Sequence, residues 1–236
     1  MTAAVAGRIE APRLRRPRAI LFDWDNTLVD SWGTIHDSLN WLMRRMEMPE
    51  WTLAETQERV RLSLNAAFPG IFGARWESAR ELYLERFQAT HLDRLTALPG
   101  REKLLGALAK EGIFLAVVSN KVGDILRREV ARLGWSALFG AIIGAGDAAA
   151  DKPACEPVHK ALAASGVTAG EEVWFVGDTA VDIECALNSG CIGVLLGSDA
   201  AAAEFLRFPP HLSFADEIAL FDALQGLRFG AASPSS

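Results

Sequence analysis

The spacing of hydrophobic positions changes along this chain, and each change predicts a different kind of element. The run Ala19-Ile20-Leu21-Phe22 is apolar without a break and stops at Asp23, the mark of a buried strand that ends in polar residues. Beyond it, Ile35, Leu39, Leu42, Met43 and Met46 fall on one helical face. Thr52-Leu53-Ala54-Glu55 has the form of a capping box that opens a second helix, and Trp76, Ala79, Tyr83 and Phe87 form the apolar stripe of a third. Residues 31–98 therefore read as all-helical.

From Pro99 the pattern alternates between helix and strand. Leu104, Leu105 and Leu108 mark a helix before the strand 113–118, and Ile125, Leu126, Val130 and Leu133 mark another that stops near Gly134. A short strand at 141–143, a helix over 156–165, a strand at 173–176, a helix through Leu187 and a strand at 192–196 follow, with residues 212–214 as a short edge strand. The pattern predicts an α/β fold: a doubly wound parallel sheet of Rossmann-like type, interrupted after its first strand by a helical insert placed to act as a lid. The core is expected over residues 18–30 and 99–229, and the insert over 31–98. Residues 1–17 are expected as a flexible arm and 230–236 as a flexible tail.

Composition narrows the partners. The formal net charge of −6 argues against a nucleic-acid surface, whose footprint is a basic stripe. No segment approaches the ~20 consecutive apolar residues that span a bilayer. The basic stretch with Arg8, Arg13, Arg15, Arg16 and Arg18 lacks the apolar centre of a secretory signal. Cys155, Cys185 and Cys191 are odd in number and lack zinc-site pairing, which favours a reducing compartment and a cytoplasmic protein. The oligomeric state is left open.

The candidate chemistry sits where strands end. Asp23 and Asp25 are two apart at the end of the first strand, so one acid can attack while the other handles protons. The strand 113–118 runs into Ser119, Asn120 and Lys121, and the strand 173–176 into Gly177, Asp178 and Thr179, with Asp182 four residues after Asp178; Lys152 lies between them. Each has a plain alternative. Ser119 and Asn120 suit a turn or helix cap, Lys152 a solvated surface, Asp178 a cap, and Asp182 the first turn of a helix. Strand C-termini of a parallel sheet share one edge, however, so all of these groups can meet. Together they permit phosphoryl transfer through an aspartyl-phosphate, in which cations must offset the repulsion between carboxylate and phosphate. Magnesium suits such a site, with Asp23 and Asp178 as side-chain ligands.

Asp23-Trp24-Asp25-Asn26-Thr27, Ser119-Asn120, Lys152-Pro153 and Gly177-Asp178-Thr179-Ala180-Val181-Asp182 resemble, in order and spacing, the four motifs of the haloacid dehalogenase-like hydrolase superfamily. The insert resembles the cap of its phosphoglycolate phosphatase and β-phosphoglucomutase branch. The resemblance implies that Asp23 attacks phosphorus and that Asp25 protonates the leaving oxygen and then activates water. It further implies that Thr27 supports the loop, that Ser119 and the backbone at Asn120 bind the phosphoryl group, and that Lys152 neutralises its charge and that of Asp23. Magnesium would sit on Asp23, the Asp25 carbonyl and Asp178, with Asp182 acting directly or through water. Two positions depart from the family pattern: Asn26 stands where glycine is usual, and Cys155 where a second proline is common. Asparagine tolerates left-handed backbone better than most residues, whereas the exchange at Cys155 bears on the shape of the loop.

The implied activity is a magnesium-dependent phosphatase of a small phosphorylated metabolite, phosphoglycolate phosphatase-like. The alternative is a sugar phosphomutase of the β-phosphoglucomutase type, which uses the same pair of acids. The dehalogenase branch lacks the second acid, so Asp25 argues against it, and a phospho-signalling receiver would need no helical lid. Substrate choice is expected in the insert, with Arg61, Ser63 and Asn65 as candidates; the plain alternative is a solvated helix face with Leu62 and Leu64 packed inward. His36 and Trp32 near the hinge are further candidates.

Overall fold

A computed structural model of the protein describes residues 14–60 and 62–229. The elements run β1 (Ala19–Phe22), β2 (Val29–Asp30), α1 (Trp32–Arg45), α2 (Leu53–Arg59), α3 (Leu64–Phe72), α4 (Trp76–Arg94), β3 (Thr96–Ala97), α5 (Arg101–Lys110), β4 (Phe114–Val122), α6 (Gly123–Arg132), β5 (Ala141–Ala145), α7 (Glu156–Leu162), β6 (Val173–Gly177), α8 (Ala180–Asn188), β7 (Ile192–Leu196), β8 (Leu212–Phe214) and α9 (Glu217–Phe229).

Six strands form one sheet in the order β5-β4-β1-β6-β7-β8, with every neighbouring pair parallel. The chain starts in the middle, builds towards β5, and then returns to the other side of β1, so the strand order reverses at β1. A ligand crevice belongs at such a reversal. Pairing of Ala19 with both Phe114 and Val173 brings the starts of β1, β4 and β6 level, and Phe22, the last residue of β1, lies beside Val117 and Val176.

The unbroken apolar run of β1 follows from burial on both faces. Ile20 and Phe22 join Leu115, Val117, Trp174 and Val176 beneath α5, α6 and α9. Ala19 and Leu21 join Ala116, Val118 and Phe175 beneath α7 and α8. The two-residue period of the strands thus divides the interior into two layers. The helices between β2 and β3 bury their own cluster, built from Leu39, Leu42, Met43, Phe68, Tyr83 and Phe87, which Ile125 of α6 joins to the rest.

Several details differ from the sequence reading. Residues 31–98 are not wholly helical, because β3 pairs antiparallel with β2 (Val29 with Ala97, Asp30 with Thr96) and ties together the two connections to the helical insert. Strands of two residues are too short to show a period. β4 continues past Val118 to Val122, with a register shift against β5. Helix α9 went unpredicted, although Leu220 and Leu224 sit one turn apart in the core and Asp216 Oδ1 accepts the Ala219 amide at 2.8 Å to cap it. Arg16 and Pro17, expected within a loose arm, are fastened instead: Pro17 is buried and Arg16 Nη2 donates to Glu111 Oε2 at 2.7 Å. The rest of the arm before Leu14, the tail from Gly230 and Arg61 lie outside the described residues. Among the described residues no helix is long and apolar enough to cross a membrane.

Phe22 is fully buried whereas Leu206 is 81% exposed. Urea unfolding is expected to show Phe22→Ala destabilised by ~3–5 kcal/mol and Leu206→Ala within about 0.5 kcal/mol of wild type.

Candidate active site

At the end of β1 the chain turns at once: Leu28 N donates to Trp24 O at 2.9 Å and Asn26 N to Val29 O at 2.7 Å. Asp25 therefore reaches the site from this turn and not along an extended strand, as the spacing alone had implied. Asn26 takes the left-handed conformation with φ 62°, and its Oδ1 accepts the Ser31 amide at 3.2 Å, so the asparagine meets the demand a glycine would otherwise meet. Arg101 Nε donates to Thr27 O at 2.8 Å and locks the far side of the turn.

Lys152 is 5% exposed, and its Nζ lies 2.6 Å from Asp23 Oδ1 and 2.6 Å from Asp182 Oδ1. Its backbone is clamped by Asn120, whose Oδ1 accepts the Lys152 amide at 3.0 Å and whose Nδ2 donates to the Lys152 carbonyl at 3.1 Å. The loop behind it is held where Cys155 raised doubt: Asn188 Nδ2 donates to Pro153 O at 2.9 Å and Cys185 Sγ to Ala154 O at 3.1 Å. The second Asp182 oxygen accepts the Thr179 amide at 3.0 Å and hydroxyl at 2.7 Å, which opens α8. Gly177 permits this approach, because a Cβ there would fall 2.3 Å from that of Asp182.

Thr27 is fully buried and does not line the cleft; its Oγ1 donates to Asp178 Oδ1 at 2.7 Å and so orients that carboxylate. Ser119 does line it, with Oγ accepting the Lys121 amide at 3.3 Å. Asp23, Asp178 and Asp182 each bring one oxygen within 4.8 Å of the others. Burial first, then the neighbouring Asp182 and Asp25, hold the Asp23 carboxyl up at about 6 despite Lys152; burial, Asp182 and Asp23 likewise hold Asp178 well above the carboxylate range. Burial opposes the charge on Lys152, but Asp182 and Asp23 outweigh it and keep the ammonium. Crowded hard oxygen donors whose negative charge is under-compensated fit a divalent cation.

A second network had no place in the sequence reading. Lys121 Nζ forms an ion pair with Asp25 Oδ1 at 2.6 Å and donates to Glu129 Oε2 at 2.7 Å. Glu129, 1% exposed, also accepts Trp24 Nε1 at 2.6 Å and faces His91 Nδ1 at 2.7 Å. Burial works against its charge, yet Lys121, His91 and Trp24 hold the carboxyl below its usual range. Trp24 belongs to the turn between the two aspartates, Lys121 to β4, Glu129 to α6 and His91 to α4, so one carboxylate joins core and insert. The signal was present: Glu129 interrupts the apolar stripe 125, 126, 130, 133, and His91 continues the four-residue spacing of Ala79, Tyr83 and Phe87.

These groups border a cleft of about 120 Å³ between the sheet edge and the insert. Of the insert candidates for substrate choice, Ser63 and Asn65 do not line it. Ser63 is buried elsewhere and Asn65 is exposed, while Val60, Leu62 and Leu64 line the cleft; α2 ends at Arg59 and α3 begins at Leu64. His36 also turns away, with Nδ1 3.0 Å from Thr56 Oγ1, whereas Trp32 lines the cleft.

Comparison with known proteins agrees with this geometry. The family described as haloacid dehalogenase-like hydrolase matches residues 20–195. A phosphoglycolate phosphatase of Xanthomonas campestris pv. campestris (strain 8004) is 31% identical over 181 residues, spanning 75% of this chain and 81% of that protein. One from Aquifex aeolicus (strain VF5) is 30% identical over 177 residues, spanning 73% and 81%. A HAD-superfamily hydrolase from Ehrlichia chaffeensis, 28% identical, superposes with a TM-score of 0.62 over 91% of this chain and 98% of its own. A haloacid dehalogenase-like family hydrolase from Streptococcus pneumoniae, 21% identical, reaches a TM-score of 0.79 over 89% and 99% and shares the fold. The chain belongs to the haloacid dehalogenase-like hydrolases, on their phosphoglycolate phosphatase-like branch.

Two outcomes are expected. Glu129→Ala strands three buried partners and lowers unfolding free energy by about 3–5 kcal/mol in denaturant titration; a loss within experimental error would contradict the network. In chelator, native Asp23 holds its proton up to about pH 6, above the ~3.9 of an unfolded chain. The group's contribution is therefore present below about pH 4 and lost as pH rises through about 6. The stability of wild type relative to Asp23→Asn should decline across that window, and a relative stability that grows with pH would contradict it.

Proposed function

We propose that the chain is a magnesium-dependent phosphatase that hydrolyses a small phosphomonoester through an aspartyl-phosphate on Asp23, in a cytoplasmic setting. The observation that carries this reading is the Lys152 ammonium held 2.6 Å from Asp23 at the mouth of β1, opposite the Asp25–Lys121 pair. One acid is thereby presented as nucleophile and the other as proton carrier. Asp23 and Asp178 would hold magnesium, with the Asp25 carbonyl and Asp182 completing the set; once bound, the ion offsets phosphate charge.

Asp23 attacks phosphorus as the ester oxygen departs with a proton from Asp25. Asp25, now a carboxylate, takes a proton from water as that water attacks the phospho-enzyme, and phosphate and free Asp23 result. Ser119 and Lys152 bind the phosphoryl oxygens. Asn120 acts through the Lys152 backbone and Thr27 through Asp178, so both are positioning residues. Glu129 positions Lys121 against Asp25. Residues 31–98 act as the cap, tied to this machinery through His91. Similarity to phosphoglycolate phosphatases supports hydrolysis over phosphoryl transfer to a second sugar hydroxyl.

Phosphate release from a phosphomonoester panel is expected to require magnesium, to stop in chelator and to return when the ion is restored. Asp23→Asn should cost about a thousandfold or more in kcat. Activity within tenfold of wild type in that variant would sink the aspartyl-phosphate mechanism.

A further inference from the structure

Asn26 directly follows Asp25, the acid assigned to the ester oxygen, and itself lines the cleft. Its backbone is held in place, with φ at 62° and the amide nitrogen donating to Val29 O at 2.7 Å. Its side chain is held by one arm, because Oδ1 accepts the Ser31 amide at 3.2 Å. Ser31 precedes Trp32, which opens α1 and lines the cleft from the insert.

A carboxamide carries its NH2 on the arm opposite its oxygen and offers two donors there. With Oδ1 turned to Ser31, the Nδ2 arm is the polar group that Asn26 has left to give, and among the described residues no group accepts from it. Asn26 is half-buried, where a hydrogen bond to a bound acceptor is stronger than in open water. A chain with glycine at this position has no such donor, so the contact belongs to Asn26 and not to the common pattern of the turn.

The neighbours set which part of a substrate this donor meets. Ser119 and Lys152 stand with Asp23 at the phosphoryl position, whereas Asn26 is tied through Ser31 to the insert. Consecutive Cα atoms lie about 3.8 Å apart, close to the span of an O–C–C–O unit. An acid on the ester oxygen and a donor on the next residue therefore match two oxygens carried by adjacent carbons.

We infer that Asn26 is a specificity-determining residue whose Nδ2 donates to an oxygen on the carbon next to the ester carbon, so that the cleft selects phosphomonoesters of alcohols bearing such an oxygen. This rests on the phosphatase reading and names its substrate class.

Phosphate release from 2-hydroxyethyl phosphate and n-propyl phosphate by the full chain with magnesium tests this, because the two esters differ only by a hydroxyl in place of a methyl group. Wild type is expected to favour the first ester in kcat/KM, and a preference for the second would overturn the inference whatever a variant does. Asn26→Gly keeps the left-handed backbone accessible and removes the amide. The ratio of the first kcat/KM to the second should fall by about three- to tenfold in that variant. Loss of the Ser31 bond, or of a contact to the phosphoryl group, would act on both esters alike, so a ratio that stays level or rises would overturn the inference. Wild type active on other esters of a wider panel but not on 2-hydroxyethyl phosphate would overturn it too and leave the phosphatase reading intact. Release from no ester of the panel would remove both.

Discussion

The buried ammonium of Lys152 between Asp23 and Asp182 is the interaction on which the rest of the site depends. It joins the central strand β1, the loop before α7 and the start of α8 at one point. An ammonium is tolerated there only because two carboxylates offset its desolvation, and those carboxylates are tolerated together only because of the ammonium. The surrounding structure serves this mutual dependence. Gly177 makes room for Asp182, Thr179 binds its other oxygen, and Asn120 holds the lysine backbone from the neighbouring strand. The cluster still carries more negative than positive charge, which leaves a place for a divalent ion.

Glu129 is a second centre with a different task. Its carboxylate gathers Trp24, Lys121 and His91, from the nucleophile turn, a core strand and the insert respectively. Through Lys121 it bears on Asp25, the acid that must give up and regain a proton in the proposed cycle. The contact with His91 means that the end of α4 and the acid are positioned by one group. A movement of the insert relative to the sheet would be felt at this carboxylate, which links the insert to the setting of Asp25.

Much of this was legible in the sequence because the core strands are apolar throughout and their polar C-terminal residues share one edge. Asp23, Asp25, Ser119, Lys152, Asp178 and Asp182 all line the cleft, as strand-end geometry requires. The misses have physical causes. Strands of two residues in β2 and β3 carry no period, and α3, with Pro69 inside it, starts at Leu64 separately from α2, with Ser63 and Asn65 away from the cleft and Leu62 and Leu64 lining it. Thr27 was expected to support the loop, and its bond to Asp178 adds a role, orienting that carboxylate, that spacing does not encode. Glu129 and His91 did leave a mark, a charged or ionisable residue within an apolar stripe. Their shared partner, however, emerges only when α4, α6 and β4 are assembled.

The claim at the centre of this account is that Asp23 is the atom donor to phosphorus and Lys152 its counter-ion. A crystal structure of the protein with magnesium and trifluoroberyllate, a mimic of a transferred phosphoryl group, tests it most directly. The account predicts beryllium bonded to an Asp23 carboxylate oxygen, Lys152 and Ser119 on its fluorines, and the metal on Asp23 and Asp178. Beryllium bonded to Asp25, or to any side chain other than Asp23, would contradict it.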